Sequence, residues 1–191
     1  GLFKSTDGGA KWTRLPLVAR YRAEDGTLRK VGNPPIVLSL DIDPTNSNIL
    51  YAGTYLWGLH RSTDGGKSWS FVEIHQNPAM SISVYALAVD PNNPNRVYAT
   101  SAPLGISCPG AIYRSEDAGR GWMRAGHPGT GLPACDGRAL AMDKSNPLNL
   151  VLATADSGVY RSTDAGQNWT KAAGLPDGAI LKLLPDPRRR G

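Results

Sequence analysis

Four acidic side chains, Glu24, Asp25, Asp136 and Asp156, stand outside the repeated pattern of this chain, in stretches rich in turn residues. Carboxyl groups of this kind are what glycosidic chemistry uses. Hydrolysis of a glycosidic bond takes two of them, about 5–5.5 Å apart when one is the nucleophile and about 6.5–9.5 Å apart when a water must fit between. Nothing in their spacing makes two converge, so the residues alone support solvated loop acids, and no catalytic residue is assigned. Tyr55 and Trp57 flank Leu56 in a similar stretch. Two readings are open for them: they stack on the apolar faces of sugar rings, or they pack under the run from Pro16 to Pro35. His75 and His127 are isolated, and His60 stands where Phe or Tyr occupies the equivalent places, which reads as packing. No metal-ligand cluster of His, Cys and carboxylates is present in the pattern, and no cofactor is expected.

A second set of aspartates recurs. Lys4–Trp12 reads KSTDGGAKW, Arg61–Trp69 RSTDGGKSW, Arg114–Trp122 RSEDAGRGW and Arg161–Trp169 RSTDAGQNW. The shared residues are Ser5, Asp7, Gly9 and Trp12; Ser62, Asp64, Gly66 and Trp69; Ser115, Asp117, Gly119 and Trp122; Ser162, Asp164, Gly166 and Trp169. Four equivalent copies cannot share one active site. Ser and Asp are short acceptors that tie nearby backbone N–H groups in turns. The fixed Gly is expected to carry the positive φ, while the residue before it, Gly or Ala, is not. The Trp is large enough to wedge between neighbouring units. These residues are therefore structural.

Between the copies lies a second motif: LDIDPTNSNILYAGT from Leu40, LAVDPNNPNRVYATS from Leu87 and LAMDKSNPLNLVLATA from Leu140, with a trace, LLPDP, ending at Pro187. Each unit thus holds an apolar run, an Asp-led turn, a second apolar run, a short run ending in Arg-Ser or Lys-Ser, a glycine turn and a run opened by Trp. That is four short strands per repeat, with 3.6-residue periodicity almost absent. Repetition of four strands every 40–50 residues or so is the signature of a β-propeller blade. The first strand is apolar or small on both sides, as an innermost strand buried on both faces must be. The third is expected to alternate, with Leu2, Leu59, Ile112 and Val159 on one face and Phe3, His60, Tyr113 and Tyr160 on the other.

Composition agrees. The 191 residues include 22 Gly and 15 Pro with only 19% charged side chains, a turn-rich folded chain and not a disordered one. No apolar run approaches the roughly 20 residues of a spanning helix. The net charge of +5 owes much to Arg188, Arg189 and Arg190. A basic stripe with interleaved aromatics is missing, so nucleic acid is not an expected partner.

The octads Ser-x-Asp-x-Gly-x-x-Trp resemble the Asp-box, or BNR, repeat. The resemblance covers nearly the whole chain. It implies a propeller like those of sialidases, xyloglucan-degrading glycoside hydrolases, sortilin-type receptors and photosystem II assembly factors. The Asp-Pro-x-Asn-Pro turns look most like bacterial glycoside-hydrolase-like proteins of the xyloglucanase type. The resemblance implies a secreted, periplasmic or cell-surface protein with a glycan or another protein as partner. The Phe/Tyr-Arg-Ile-Pro strand of sialidases and the Gly-Gly-Tyr-Arg runs of xyloglucanases are absent from these residues.

The expected organisation is one propeller segment of an incomplete ring, with a partial blade at 1–15, an insertion at 16–34, blades at 35–76, 81–126 and 137–174, and the start of another at 178–187. Asp-box turns share one rim with the turns between first and second strands. Length variation falls on the opposite rim: the insertion, Ala102–Gly110 and Gly126–Gly137. Long loops on a rigid scaffold are where function concentrates, so any binding surface is expected there. Cys108 and Cys135, the only cysteines, both fall on that rim, and they form either a disulfide in an oxidising compartment or two free thiols. The function expected is a glycan-binding or glycan-hydrolysing propeller. The alternative is a non-catalytic protein-interaction or assembly scaffold.

Overall fold

The computed structural model of the 191-residue chain describes residues 1–23, 25–74, 82–103, 111–126, 128–133, 137–175, 178 and 180–184. The apolar runs are strands and the Gly- and Asp-rich segments are their turns. β1 (Leu2–Lys4) and β2 (Thr13–Leu15) form a leading pair, and β3 (Arg20–Arg22) and β4 (Leu28–Lys30) form a hairpin inside the insertion. Three four-stranded antiparallel meanders follow. The first blade is β5 (Val37–Ile42), β6 (Leu50–Thr54), β7 (Leu59–Ser62) and β8 (Ser70–Val72). The second is β9 (Ile82–Val89), β10 (Val97–Pro103), β11 (Ala111–Ser115) and β12 (Met123–Arg124). The third is β13 (Gly137–Met142), β14 (Leu150–Thr154), β15 (Val159–Ser162) and β16 (Thr170–Lys171). This is the all-β propeller of antiparallel blades that the repeats predict.

The core lies between blades. Tyr51 and Leu59 of the first blade meet Val84, Val89, Val97 and Ala99 of the second. Tyr98 and Ile112 of the second meet Met142, Leu150 and Leu152 of the third. Tyr51, Tyr98, Leu59, Ile112 and Leu150 are fully buried, and each aliphatic side chain among them contributes roughly 1.5–3 kcal/mol. Because both faces of a blade are covered, the third strand does not alternate in exposure. Leu59 and His60 are both buried, as are Val159 and Tyr160. Only in the leading pair does the pattern open, where Phe3 and Trp12 are exposed.

The four Asp-box turns share one hydrogen-bond scheme. The Ser hydroxyl donates to the Asp Oδ1 at 2.7–2.8 Å and accepts the N–H of the fixed Gly at 2.8–2.9 Å. The Trp indole N–H donates to that Gly's carbonyl at 3.0–3.1 Å. The Asp Oδ1 also accepts a backbone N–H four residues on, from Lys11, Ser68, Gly121 and Asn168. The expectation of a single positive φ needs correcting. Both residues of the Gly-Gly or Ala-Gly pair are left-handed, including Ala118 and Ala165 at 59°. The positive φ favours glycine at the second place in all four copies, and in two of them space does so as well. A Cβ on Gly119 would lie 2.6 Å from Tyr51 Cε1, and one on Gly66 would lie 2.7 Å from Leu15 Cδ1.

Leu38, Leu40 and Ile42 line one face of β5 and are 37%, 46% and 44% exposed. Their counterparts Leu87 and Val89, and Leu140 and Met142, are half-buried or buried because a preceding blade covers them. At the other end, residues 180–184 form no strand, yet Ile180 and Leu183 pack on Ala139, Ala153 and Val159 of the third blade.

Candidate functional site

The rim opposite the Asp-box turns is built from the loops between second and third strands and from the insertion. In the first blade that loop is Tyr55–Gly58. It is closed at its base by Thr54, whose hydroxyl and N–H both donate to Gly58 O at 2.8 and 3.0 Å. Thr154 closes the equivalent loop on Gly158 O at the same distances. Leu56 holds a φ of 65°, and its N–H donates to Ser83 Oγ at 3.0 Å. The N–H of Tyr55 donates to Ile36 O at 2.9 Å and that of Gly58 to Ile82 O at 3.0 Å. The loop is thereby pinned between the inner strands of two blades, with the Tyr55 ring 39% exposed.

Trp57 is half-buried, with its ring centroid 5.4 Å from that of Tyr21 at a 46° tilt. This pair joins the rim loop to the insertion hairpin. The hairpin is anchored at two further points. The backbone N–H of Arg20 donates to His60 Nε2 at 3.1 Å, and Arg22 Nε lies 3.0 Å from Glu73 Oε1. His60 is fully buried against the edge of Phe71, and burial lowers its pKa to about 4. It is therefore neutral, with the proton on Nδ1, which finds no partner among the described residues. The sequence reads His60 as packing only. Its acceptor role toward the insertion came from a residue 40 positions away and left no local signal. A groove of about 350 Å³ runs at the base of the insertion between Arg14, Leu15, Val18, Val31 and Asn33.

Asp25 sits in the β3–β4 turn, where Oδ1 accepts the hydroxyl and N–H of Thr27 at 2.6 and 2.9 Å and Oδ2 accepts Arg29 Nη2 at 2.6 Å. Those bonds, the Thr27 hydroxyl first, hold its pKa at about 2. Asp156 accepts the hydroxyl of its neighbour Ser157 at 2.8 Å. Glu24, Asp136, His75, His127, Cys108 and Cys135 lie outside the described residues. The described residues contain no group of three or more His, Cys, Asp and Glu able to hold a metal, and no helix long and apolar enough to cross a membrane.

Sequence reasoning did not single out the inner-strand bulges. Each first strand slips register by one residue at the same place, which makes Leu38, Tyr85 and Arg138 the bulge residues. Bulges re-aim side chains and recur beside binding sites. Here the Arg138 guanidinium lies 4.2 Å above the Tyr85 ring, across the boundary of the second and third blades. The signal for it is the extra residue between the small-residue alternation and the rim, visible only once the ladder is known.

The BNR/Asp-box repeat pattern matches this chain at residues 60–71 and 160–171. The oligoxyloglucan-reducing end-specific xyloglucanase of Emericella nidulans is 33% identical over 84 residues, 44% of this chain and 10% of that protein. Xyloglucanase Xgh74A of Acetivibrio thermocellus is 33% identical over 143 residues, 63% of this chain and 15% of that protein. The chain thus spans about a tenth to a seventh of the length of these relatives. The crystal structure of the GH74 xyloglucanase of Xanthomonas campestris superposes with a TM-score of 0.68 at 20% identity, over 100% of this chain and 31% of that one. At that identity the likeness is one of fold. The chain is a BNR/Asp-box β-propeller that resembles glycoside hydrolases of the xyloglucanase type.

Proposed function

We propose that this chain is part of a secreted GH74-like propeller that binds or acts on a polysaccharide of the xyloglucan class through its variable-loop rim. The observation that carries this reading is the 33% identity to Xgh74A over 143 residues. The rim supports it: a pinned, exposed Tyr55 beside the Trp57–Tyr21 pair offers flat apolar faces of the kind that suit sugar rings. Tyr55 and Trp57 are the proposed contacts, with Asp156 as a loop acid; Glu24 and Asp136 remain candidates from the sequence alone. Asp25, bonded on both oxygens within its own turn, shapes the hairpin. Titration of the 191-residue chain with xyloglucan oligosaccharides tests the proposal. Saturable binding weakened about tenfold by Tyr55→Ala is expected, since stacking on one ring is worth on the order of 1 kcal/mol. Absence of binding to these sugars would sink it.

A second reading, a non-catalytic scaffold for protein partners, has its own support in the commitment of Asp25 to Thr27 and Arg29 and of Asp156 to Ser157. Release of reducing sugar by the protein would rule this reading out.

A further inference from the structure

A cleft of about 340 Å³ opens on the outer edge of the first blade, and its lining includes Arg61, Thr63, Ser70, Glu73 and Arg120. Two blades build it. Arg61 comes from the Asp-box strand of the first, and Arg120 from the Asp-box turn of the second. The equivalent arginine of the second blade shows what Arg61 lacks. Arg114 donates through Nη1 to Ala165 O at 3.1 Å and has a counter-ion in Glu116, whose Oε1 lies 3.1 Å from its Nε as an ion pair without hydrogen-bond geometry. Glu116 is the third residue of its motif; in the first blade that place is held by Thr63. Arg61 Nε is buried and finds no hydrogen-bond partner among the described residues, while its guanidinium lies over the Tyr51 ring at 6.0 Å. Neither Arg61 nor Arg120 is ion-paired among the described residues.

The carboxylates nearby are already engaged. Glu73 pairs with Arg22, and Asp64 accepts Ser62 Oγ, Ser68 N and Ser68 Oγ. Asp117 accepts the Ser115 hydroxyl and the N–H groups of Arg120 and Gly121 on its carboxylate, and Arg120 Nη1 reaches only its backbone carbonyl at 3.4 Å. The cleft therefore carries two guanidinium groups that no carboxylate pairs among the described residues. It also has a direction. Ser70, Phe71 and Val72 line it in succession along β8, with Glu73 just past its end, and among the described residues β8 has β7 as its one strand partner. An unpaired strand edge offers backbone donors and acceptors in a row, which an extended chain can satisfy.

We propose that this cleft is a docking site for an extended acidic peptide, which lies along β8 and places one carboxylate between Arg61 and Arg120. That carboxylate takes the place that Glu116 fills for Arg114. A charge-assisted hydrogen bond in a partly buried site is stronger than a neutral one and sets register as well as affinity.

The test uses the whole 191-residue chain and a capped pentapeptide, Thr-Val-Glu-Val-Thr, in calorimetry at low salt. Saturable binding is expected, weakened about tenfold when the central Glu is Gln, the difference of one charge-assisted bond. Thr63→Glu installs the internal counter-ion that the second blade already tolerates, and it is expected to weaken the peptide by about the same factor without lowering the melting temperature. Arg120→Ala, at an exposed position, is expected to do likewise. Methylating the backbone nitrogens of the peptide is expected to abolish binding. Equal affinity for the Glu and Gln peptides, unchanged binding by Thr63→Glu, or no binding to either peptide would overturn the proposal. Tighter binding of trigalacturonate than of the peptide would overturn it in favour of an acidic polysaccharide.

Discussion

The hydroxyl of Tyr51 donates to the carbonyl oxygen of Ala118 at 2.8 Å, across the boundary between the first and second blades. Tyr98 repeats the contact with Ala165 at 3.0 Å across the next boundary. Each tyrosine comes from a second strand, and each acceptor is the left-handed residue before the fixed glycine of the following blade's Asp-box. The turn that looks self-contained in sequence is thus the catch of a latch between blades. Tyr51→Phe keeps the ring and strands the carbonyl of Ala118, and is expected to cost about 1–2 kcal/mol in urea unfolding. Tyr98→Phe is expected to cost less, about 0.5–1 kcal/mol, because Arg114 Nη1 still donates to Ala165 O. An unchanged midpoint in both would show that the rings alone join the blades.

The two glycine positions of the Asp-box are expected to differ sharply. Gly65→Ala places its methyl where Ala118 and Ala165 already sit, and is expected to cost about 1 kcal/mol or less. Gly66→Ala drives a Cβ to 2.7 Å from Leu15 Cδ1 at a φ of 89° and is expected to cost about 2–3 kcal/mol. Thermal unfolding of the two variants side by side gives the comparison.

Stability is expected to fall with pH through His60. Its native pKa of about 4 lies below the ordinary 6.5, so the unfolded chain binds the proton more readily between these values. The contribution of neutral His60 is whole above pH 6.5, declines as the pH drops toward 4 and is gone below. The full span is about 3 kcal/mol. His60→Phe is expected to flatten that part of the curve. It also strands the N–H of Arg20, so the β3–β4 hairpin of this variant should be cut faster by protease at pH 7.

Asp41 runs the opposite way. Its Oδ2 accepts the N–H of Val89 in the next blade at 2.8 Å, and burial raises its pKa. A carboxyl that holds its proton more tightly in the native state favours folding in acid and loses that advantage as the pH rises above the unfolded value. Asp41→Asn keeps an acceptor for Val89 and removes the buried charge. It is expected to leave stability equal or higher at pH 7, by guanidinium unfolding, and a loss would show that the charge itself is needed.

The two tryptophans at the ends of the same motif make a control pair. Trp69 is buried among Leu2, Leu17, Leu50 and Ala52, whereas Trp12 is 63% exposed. Trp69→Ala is expected to cost about 3–5 kcal/mol and Trp12→Ala under 1 kcal/mol.

What could be read in advance follows from what repeats. The Asp-box scheme is local, spanning eight residues, and four copies of it disclosed the blade and its strand order. The latch was not legible, because its acceptor is a backbone carbonyl 67 residues from the tyrosine. Composition is silent about carbonyls, although Tyr51 and Tyr98 stand at the same place in their repeats. The loop acids were visible as charges and not as directions, so the commitment of Asp25 to Thr27 and Arg29 had to be seen. The cleft at Arg61 and Arg120 is assembled from two blades, and its one sequence trace is a missing acid, Thr63 in the place of Glu116.

The third blade carries Val151 where Tyr51 and Tyr98 stand in the other two. A valine has no hydroxyl, so the contact made by Tyr51 and Tyr98 has no third copy among the described residues. Neighbouring repeats in such an array are coupled pairwise, like beads on a string with springs of unequal stiffness. The second blade is latched on both sides, by Tyr51 and by Tyr98, and the third on one, so amide hydrogens of the third blade should exchange ahead of those of the second.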